Sequence, residues 1–170
     1  MKRLILMRHA KTEPWTEGVE DHGRALTQVG HHAAQVTAEN LVRLDWQPDV
    51  ALVSSARRTR ETWAHLKACF TQCQLVIEDD LYLAGERHIL ELIGQHAEAD
   101  TVMVLGHNPG LHDMGIGLMR EAGFLEHRAA MRLSTKFPTG AAALFEAAEP
   151  GPFIAAHYRL TGFIRPKDLI

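Results

Sequence analysis

Leu4-Ile5-Leu6-Met7-Arg8-His9-Ala10 decides how the chain is read: four apolar residues in a row, then a cation and an imidazole. A short apolar run without alternation suits a strand covered on both faces, as in a parallel sheet lying between helix layers. Open sheets of this kind bind ligands beyond the carboxyl ends of their strands, the position that Arg8 and His9 would take. Alone the pair says little, because every buried strand must end at something polar.

The pattern returns at Thr101-Val102-Met103-Val104-Leu105, the clearest strand in the chain, which runs into Gly106-His107-Asn108-Pro109-Gly110. With Asn108 as N-cap and Pro109 at the first helical position, a helix would start there and present its N–H groups to the same sheet edge. Between these strands lies another, Val50 to Val53, followed by Ser54-Ser55-Ala56-Arg57-Arg58-Thr59-Arg60-Glu61-Thr62. If Ser55 caps the helix opening here, three arginines oppose the helix dipole, at a few tenths to about 1 kcal/mol each. A bound anion would resolve that conflict; so would arginines splayed into water with Glu61 as a partner. Turning Thr59, Trp63, Leu66 and Phe70 inward points Arg57 outward and leaves Arg58 and Arg60 on the two flanks, so periodicity does not choose between them.

The rest of the chain fills in a strand and helix alternation. Lys11 to Ala25, with Pro14 and an isolated Trp15, reads as a long loop of the kind that is often functional, Trp15 either pinning it down or touching substrate. A helix runs from Leu26, with Thr27 as N-cap, and fades at Asp45. Gln74 to Ile77 is a third strand, Arg87 to His96 a short helix, Leu111 to Glu126 a longer one, and Met131 to Gly140 irregular. Ala141 to Phe145 and Phe153 to Leu160 read as two final strands at the sheet edge, with a turn at Pro150-Gly151-Pro152. The fold class is α/β, a mostly parallel sheet with helices on both faces, and 170 residues make one domain, 1–170.

Composition excludes several function classes. A formal net charge of -3 argues against nucleic acid or a membrane surface as the main partner, so any bound anion must be held by a local cluster. The apolar run after Lys2 and Arg3 is too short for a signal peptide and no segment is long enough to span a bilayer, which makes the cytoplasm the expected location. Cys69 and Cys73 fit neither a redox pair nor half of a zinc site and read as reduced thiols. Eleven histidines raise the question of a metal, but there is no H-E-x-x-H, and His107 and His112 lack the i, i+4 spacing, so no metal site is expected. His31 and His32, and most others including His22, His65 and His127, read as solvated. Two strand ends delivering histidines and a helix start delivering arginine make a pocket for a tetrahedral oxyanion, phosphate being the common case.

Taken together, Arg8-His9-Ala10, Ser54 to Thr62 as S-x-x-x-R-x-x-x-T, and Gly106 to Gly110 resemble the signatures of the histidine phosphatase superfamily. Within it, R-H-A-K at Arg8 to Lys11, D-x-x-R-x-L-T-x-x-G at Asp21 to Gly30, and Phe137-Pro138-Thr139-Gly140 are similar to the SixA-type phosphohistidine phosphatases, over most of the chain. The resemblance implies a three-layer, phosphoglycerate-mutase-like sandwich and a cofactor-independent, metal-independent reaction. It implies His9 as the nucleophile, with Arg8, Arg58 and His107 binding the phosphoryl oxygens, and it selects Arg58 over its neighbours. Arg24 and Asn108 would contact substrate and Asp21 would orient the loop; for the acid that many superfamily members use on the leaving oxygen, a residue after the third strand, the local candidates are Glu86 and the cluster Glu78 to Asp80. The implied partner is a protein carrying phosphohistidine; a small phosphate ester on the same scaffold is the alternative, and an idle phospho-ligand binding module is a third reading that the intact His9, Arg8, Arg58 and His107 oppose.

Overall fold

The structure is a computed structural model, and it describes residues 1–123 and 127–170. One six-stranded sheet holds the strands β1 (Arg3–Arg8), β2 (Val50–Ser54), β3 (Gln74–Glu78), β4 (Thr101–Gly106), β5 (Ala142–Ala147) and β6 (Tyr158–Ile164), in the spatial order β3-β2-β4-β1-β5-β6. The first four run parallel; β5 pairs antiparallel with β1, and β6 antiparallel with β5. The helices are α1 (Gln28–Arg43), α2 (Arg57–Cys69), α3 (Glu86–Gly94), α4 (Gly110–Glu121) and α5 (Arg128–Thr135).

The unalternating apolar runs are explained by two cores. Leu4, Leu6, Leu52, Val102 and Val104 pack with residues of α3, α4 and α5, while Ile5, Met7, Val53, Met103 and Leu105 pack with residues of α1 and α2. Successive strand residues point to opposite faces, so a strand between two helix layers must be apolar at every position. Its polar residues then collect at its ends. The register pairs Arg8 with Gly106, so the next residues of the two strands, His9 and His107, emerge side by side.

Several sequence expectations need correction. The Met131 to Gly140 stretch is not irregular throughout: α5 occupies Arg128–Thr135, buries Ala130 and Leu133, and is capped by a histidine, since the Ala130 N–H donates to His127 Nδ1 at 3.4 Å. Of the last two strands only β6 is at the edge; β5 sits between β1 and β6. β6 begins at Tyr158 rather than Phe153, whose ring packs on Tyr158 with centroids 4.9 Å apart instead of joining the ladder. The helix expected to Glu126 ends at Glu121, and its last expected residues, 124–126, lie outside the described residues. Trp15 is 67% exposed. Cys69 and Cys73 are free, and burial pushes the Cys73 thiol up to about 12. Among the described residues no helix is long and apolar enough to cross a membrane.

Candidate active site

The carboxyl ends of β1, β2 and β4 meet at one point of the sheet edge. His9 and His107 lie with ring centroids 5.2 Å apart, and both are buried, at 7% and 3% exposure. His9 Nδ1 lies 2.8 Å from the carbonyl oxygen of Ala10. A carbonyl can only accept, so Nδ1 carries the proton and donates it; Nε2 is left with a free lone pair. Burial, aided by the charges of Arg58, Arg8 and Arg24, lowers the His9 pKa to about 4. The ring is therefore neutral at physiological pH, with one defined tautomer.

His107 is held in a different way. Its Nε2 lies 2.8 Å from Ser54 Oγ at the end of β2, while its Nδ1 is buried with no partner among the described residues. Burial is again the main cause of its low pKa, about 3, with His9 and Arg58 adding to it. Arg8 donates through Nη1 to the Phe137 carbonyl at 2.9 Å, and its buried Nε has no partner among the described residues. Buried polar groups are nearly always paired, so an unmatched guanidinium N–H and an unmatched imidazole nitrogen at the same strand ends describe a place for an anion.

Each position of the S-x-x-x-R-x-x-x-T pattern has its own contact. Ser54 meets His107, Arg58 is 4% exposed, and Thr62 Oγ1 accepts from the Ala10 N–H at 3.0 Å while donating to the Arg58 carbonyl at 2.7 Å. The four-residue spacing puts Arg58 and Thr62 on one face of α2, where Thr62 ties the segment after β1 to the helix. Arg57 is instead exposed and paired with Glu61 at 2.6 Å. The cap differs from expectation: Ala56 precedes the helix without a side-chain bond, and Ser55 Oγ lies 3.1 Å from His22 Nε2.

The D-x-x-R-x-L-T-x-x-G stretch folds over this site. Asp21 is more than a loop-orienting residue: its Oδ2 accepts from Arg58 Nη2 at 3.0 Å and from the Tyr82 hydroxyl at 2.7 Å, its Oδ1 accepts from Arg24 Nη1 at 3.0 Å, and its carbonyl accepts from Arg58 Nη1 at 2.7 Å. Those hydrogen bonds, that from Tyr82 first, hold its carboxyl well below the usual carboxylate range. Arg24 also donates to Thr12 Oγ1 and to the Glu13 carbonyl, tying the loop to itself. Thr27 caps α1 as expected, accepting from the Gly30 N–H at 3.0 Å, and Gly30 is required because a Cβ there would run into the Lys11 carbonyl oxygen.

The remaining candidates divide. Asn108 reaches the mouth but neither caps nor starts a helix; α4 begins at Gly110, and Asn108 Nδ2 donates to the same Phe137 carbonyl that Arg8 holds, at 3.0 Å. Its donor is occupied in fixing the 137–140 turn, where Gly140, at φ 75°, donates its N–H to the carbonyls of Arg8 and His9. Glu86 is not brought to the site: its carboxylate lies against Gly117 of α4. Ser54, Thr62, Asp21 and Tyr82 complete the hydrogen-bond network around His9 and Arg58; the first two lay within the recognised motif, whereas nothing near Tyr82 in the sequence marks it. His31 and His65, read as solvated, are in fact bonded to each other, Nδ1 to Nε2, at 2.9 Å.

Residues 4–102 match the model of the histidine phosphatase superfamily, branch 1. The chain is 33% identical over 121 residues to an uncharacterized chloroplastic protein of Arabidopsis thaliana, covering 64% of this chain and 55% of that protein, so it spans about half that relative's length. Its structure superposes on the assigned SixA phosphohistidine phosphatase of Agrobacterium tumefaciens with a TM-score of 0.84 and 28% identity, over 97% of this chain and 98% of that one. The corresponding protein of Nakamurella multipartita gives 0.82 and 30%, over 97% and 96%. A match over more than half the sequence and a shared α/β fold make one conclusion: the chain belongs to the histidine phosphatase superfamily, and its fold is that of solved structures assigned to the SixA-type branch.

Proposed function

We infer that the site hydrolyses phosphohistidine carried by a protein, through a phosphoryl group held transiently on His9. The Nε2 lone pair of neutral His9 attacks phosphorus, the bond from phosphorus to the substrate nitrogen breaks, and the substrate ring leaves as neutral imidazole because its other nitrogen already carries a proton. Arg8, Arg58 and His107, whose Nδ1 carries the proton when the Ser54 hydroxyl donates to its Nε2, hold the three phosphoryl oxygens as charge redistributes over them, which is most of what a protein contributes to phosphoryl transfer. Water then attacks phosphorus, the bond to His9 breaks, and phosphate leaves with neutral His9 restored. Arg24 acts through Asp21 on the placement of Arg58, and Asn108 through the 137–140 turn.

The observation that carries this reading over a phosphate ester is the state of the carboxylates. An alkoxide must be protonated as it leaves, and general acid catalysis is worth about 10² to 10⁴ in rate. Among the described residues the carboxylate bonded to the site arginine is Asp21, which Tyr82, Arg24 and Arg58 hold ionised. Glu86 lies against α4. Imidazole, with a reference pKa of about 6.5, needs no such acid. Side-by-side kcat/KM values for a phosphohistidine peptide, an activated aryl phosphate and a sugar phosphate test the reading. Turnover of the first two is expected, with the sugar phosphate at least about a hundredfold slower, and Glu86→Gln should change none of them. A sugar phosphate turned over as well as the peptide, and lost with Glu86→Gln, would favour the small-molecule monoesterase instead.

A further inference from the structure

The dipole conflict at the start of α2 is settled for Arg58 by Asp21 and for Arg57 by Glu61. Arg60 is exposed and has no carboxylate partner among the described residues. It lines a groove of about 610 Å³ between α2 and β3. One wall is a stripe on α2 in which Arg57, Arg60, Ala64 and Lys67 follow one another three, four and three residues apart, the spacing of a single helix face. The small side chain of Ala64 leaves the middle of the stripe open. The other wall is apolar: Leu75 and Ile77, on the outer strand of the sheet, are 40% and 44% exposed. Three cations against one carboxylate, Glu61, give the groove a positive balance in a chain whose net charge is -3. At its upper end are His22 and Ser55, bonded to each other. They adjoin Asp21 and Ser54, the residues that hold Arg58 and His107. The groove thus leads away from the phosphoryl site, and along α2 from Arg57 to Lys67 it extends about 15 Å.

We propose that this groove docks an acidic, partly apolar segment of the phosphorylated protein, beside its phosphohistidine, with carboxylates on Arg60 and Lys67 and apolar side chains on Leu75 and Ile77. The proposal rests on the phosphohistidine reading of the site. A cationic wall facing an apolar wall selects alternating acidic and apolar side chains, and the position of the mouth sets the segment next to the reacting residue. Free phosphate esters have no part long enough to use it. Charge on the groove would also speed encounter with an acidic partner and make that encounter salt-dependent.

The test uses two phosphohistidine peptides alike except for a flank of alternating Glu and Leu or of alternating Gln and Leu, their unphosphorylated fluorescent forms, and an activated aryl phosphate. The variant is Arg60→Glu/Lys67→Glu; both positions are exposed, and a carboxylate at position 60 suits the start of a helix better than a cation does. The wild type should prefer the Glu flank by about fivefold or more in kcat/KM, through KM, and lose that preference in about 0.5 M salt. The double variant should lose or invert the preference while its aryl phosphate turnover stays within about twofold. Fluorescence anisotropy with the unphosphorylated forms should show the same order of binding. If the peptides bind with this preference but no phosphohistidine is turned over, the docking inference stands and the reading of the site fails. Equal kcat/KM and equal binding for the two flanks, a preference that survives in the double variant, or equal binding of polyuridylate would overturn the docking inference.

Discussion

Replacing His9 by Gln should change how the stability of the protein depends on pH. His9 is buried and neutral, with a pKa near 4 set first by burial and then by Arg58, Arg8 and Arg24. In the unfolded chain the same ring titrates near 6.5. Between these values the unfolded state binds the proton and the folded state does not, so stability rises with pH through this window and is lost as pH falls from about 6.5 toward 4. Integrated from pH 7 to pH 5, one such group costs the wild type about 2 kcal/mol. His107, lowered to about 3, adds a contribution of the same sign, but the two rings perturb each other and their contributions do not simply add. Gln has no titrating group, so His9→Gln should lose about 2 kcal/mol less than the wild type between the same two pH values. Urea unfolding followed by tryptophan fluorescence measures this, because Trp46 and Trp63 are buried and report on the core next to α1 and α2. Parallel stability profiles for wild type and variant over pH 5 to 7 would refute the reasoning, since His9 would then titrate alike in both states.

Two further substitutions probe the supports of the site. Thr62→Val should leave the buried Ala10 N–H without its acceptor, lower stability by about 1 to 3 kcal/mol, and reduce kcat because the segment after β1 is no longer tied to α2; an unchanged kcat on an aryl phosphate would show that this tie positions nothing. Asp21→Asn should reduce kcat/KM about tenfold or more by freeing Arg58 and Arg24 to move, with only about 1 kcal/mol lost in stability because the Asp21 side chain is 44% exposed; wild-type kcat/KM in that variant would remove Asp21 from any positioning role.

Much of this architecture was legible in the sequence because its signals are local. Leu4 to Met7 and Val102 to Leu105 are apolar at every position, which a sheet covered on both faces demands, and the histidines follow where such strands must stop. Thr27 caps α1, as its place ahead of the helical pattern implied. What was not legible depends on partners distant in sequence. Periodicity left Arg58 and Arg60 equivalent; Asp21, 37 residues away, and the Tyr82 ring single out Arg58, and the motif supplied what the helical wheel could not. Tyr82 carries no motif, and its role arises from the 2.7 Å bond to Asp21 across 61 residues. Asn108 has the composition of an N-cap, but the Phe137 carbonyl competes for its side chain and wins. Helix α5 has eight residues and a histidine cap, too short and too unusual a start for pattern reading. Glu86 was a candidate by proximity to the third strand, and α3 directs it toward Gly117 instead.

The most direct measurement is to trap the enzyme during turnover of a phosphohistidine peptide, by rapid quenching into alkali, and to locate the phosphoryl group by mass spectrometry and its ring position by phosphorus NMR. With Nδ1–H held by the Ala10 carbonyl and Nε2 free, the group is expected on Nε2 of His9 and absent from the His9→Ala variant. Label on His107, on Nδ1 of His9, or full turnover by His9→Ala would contradict it.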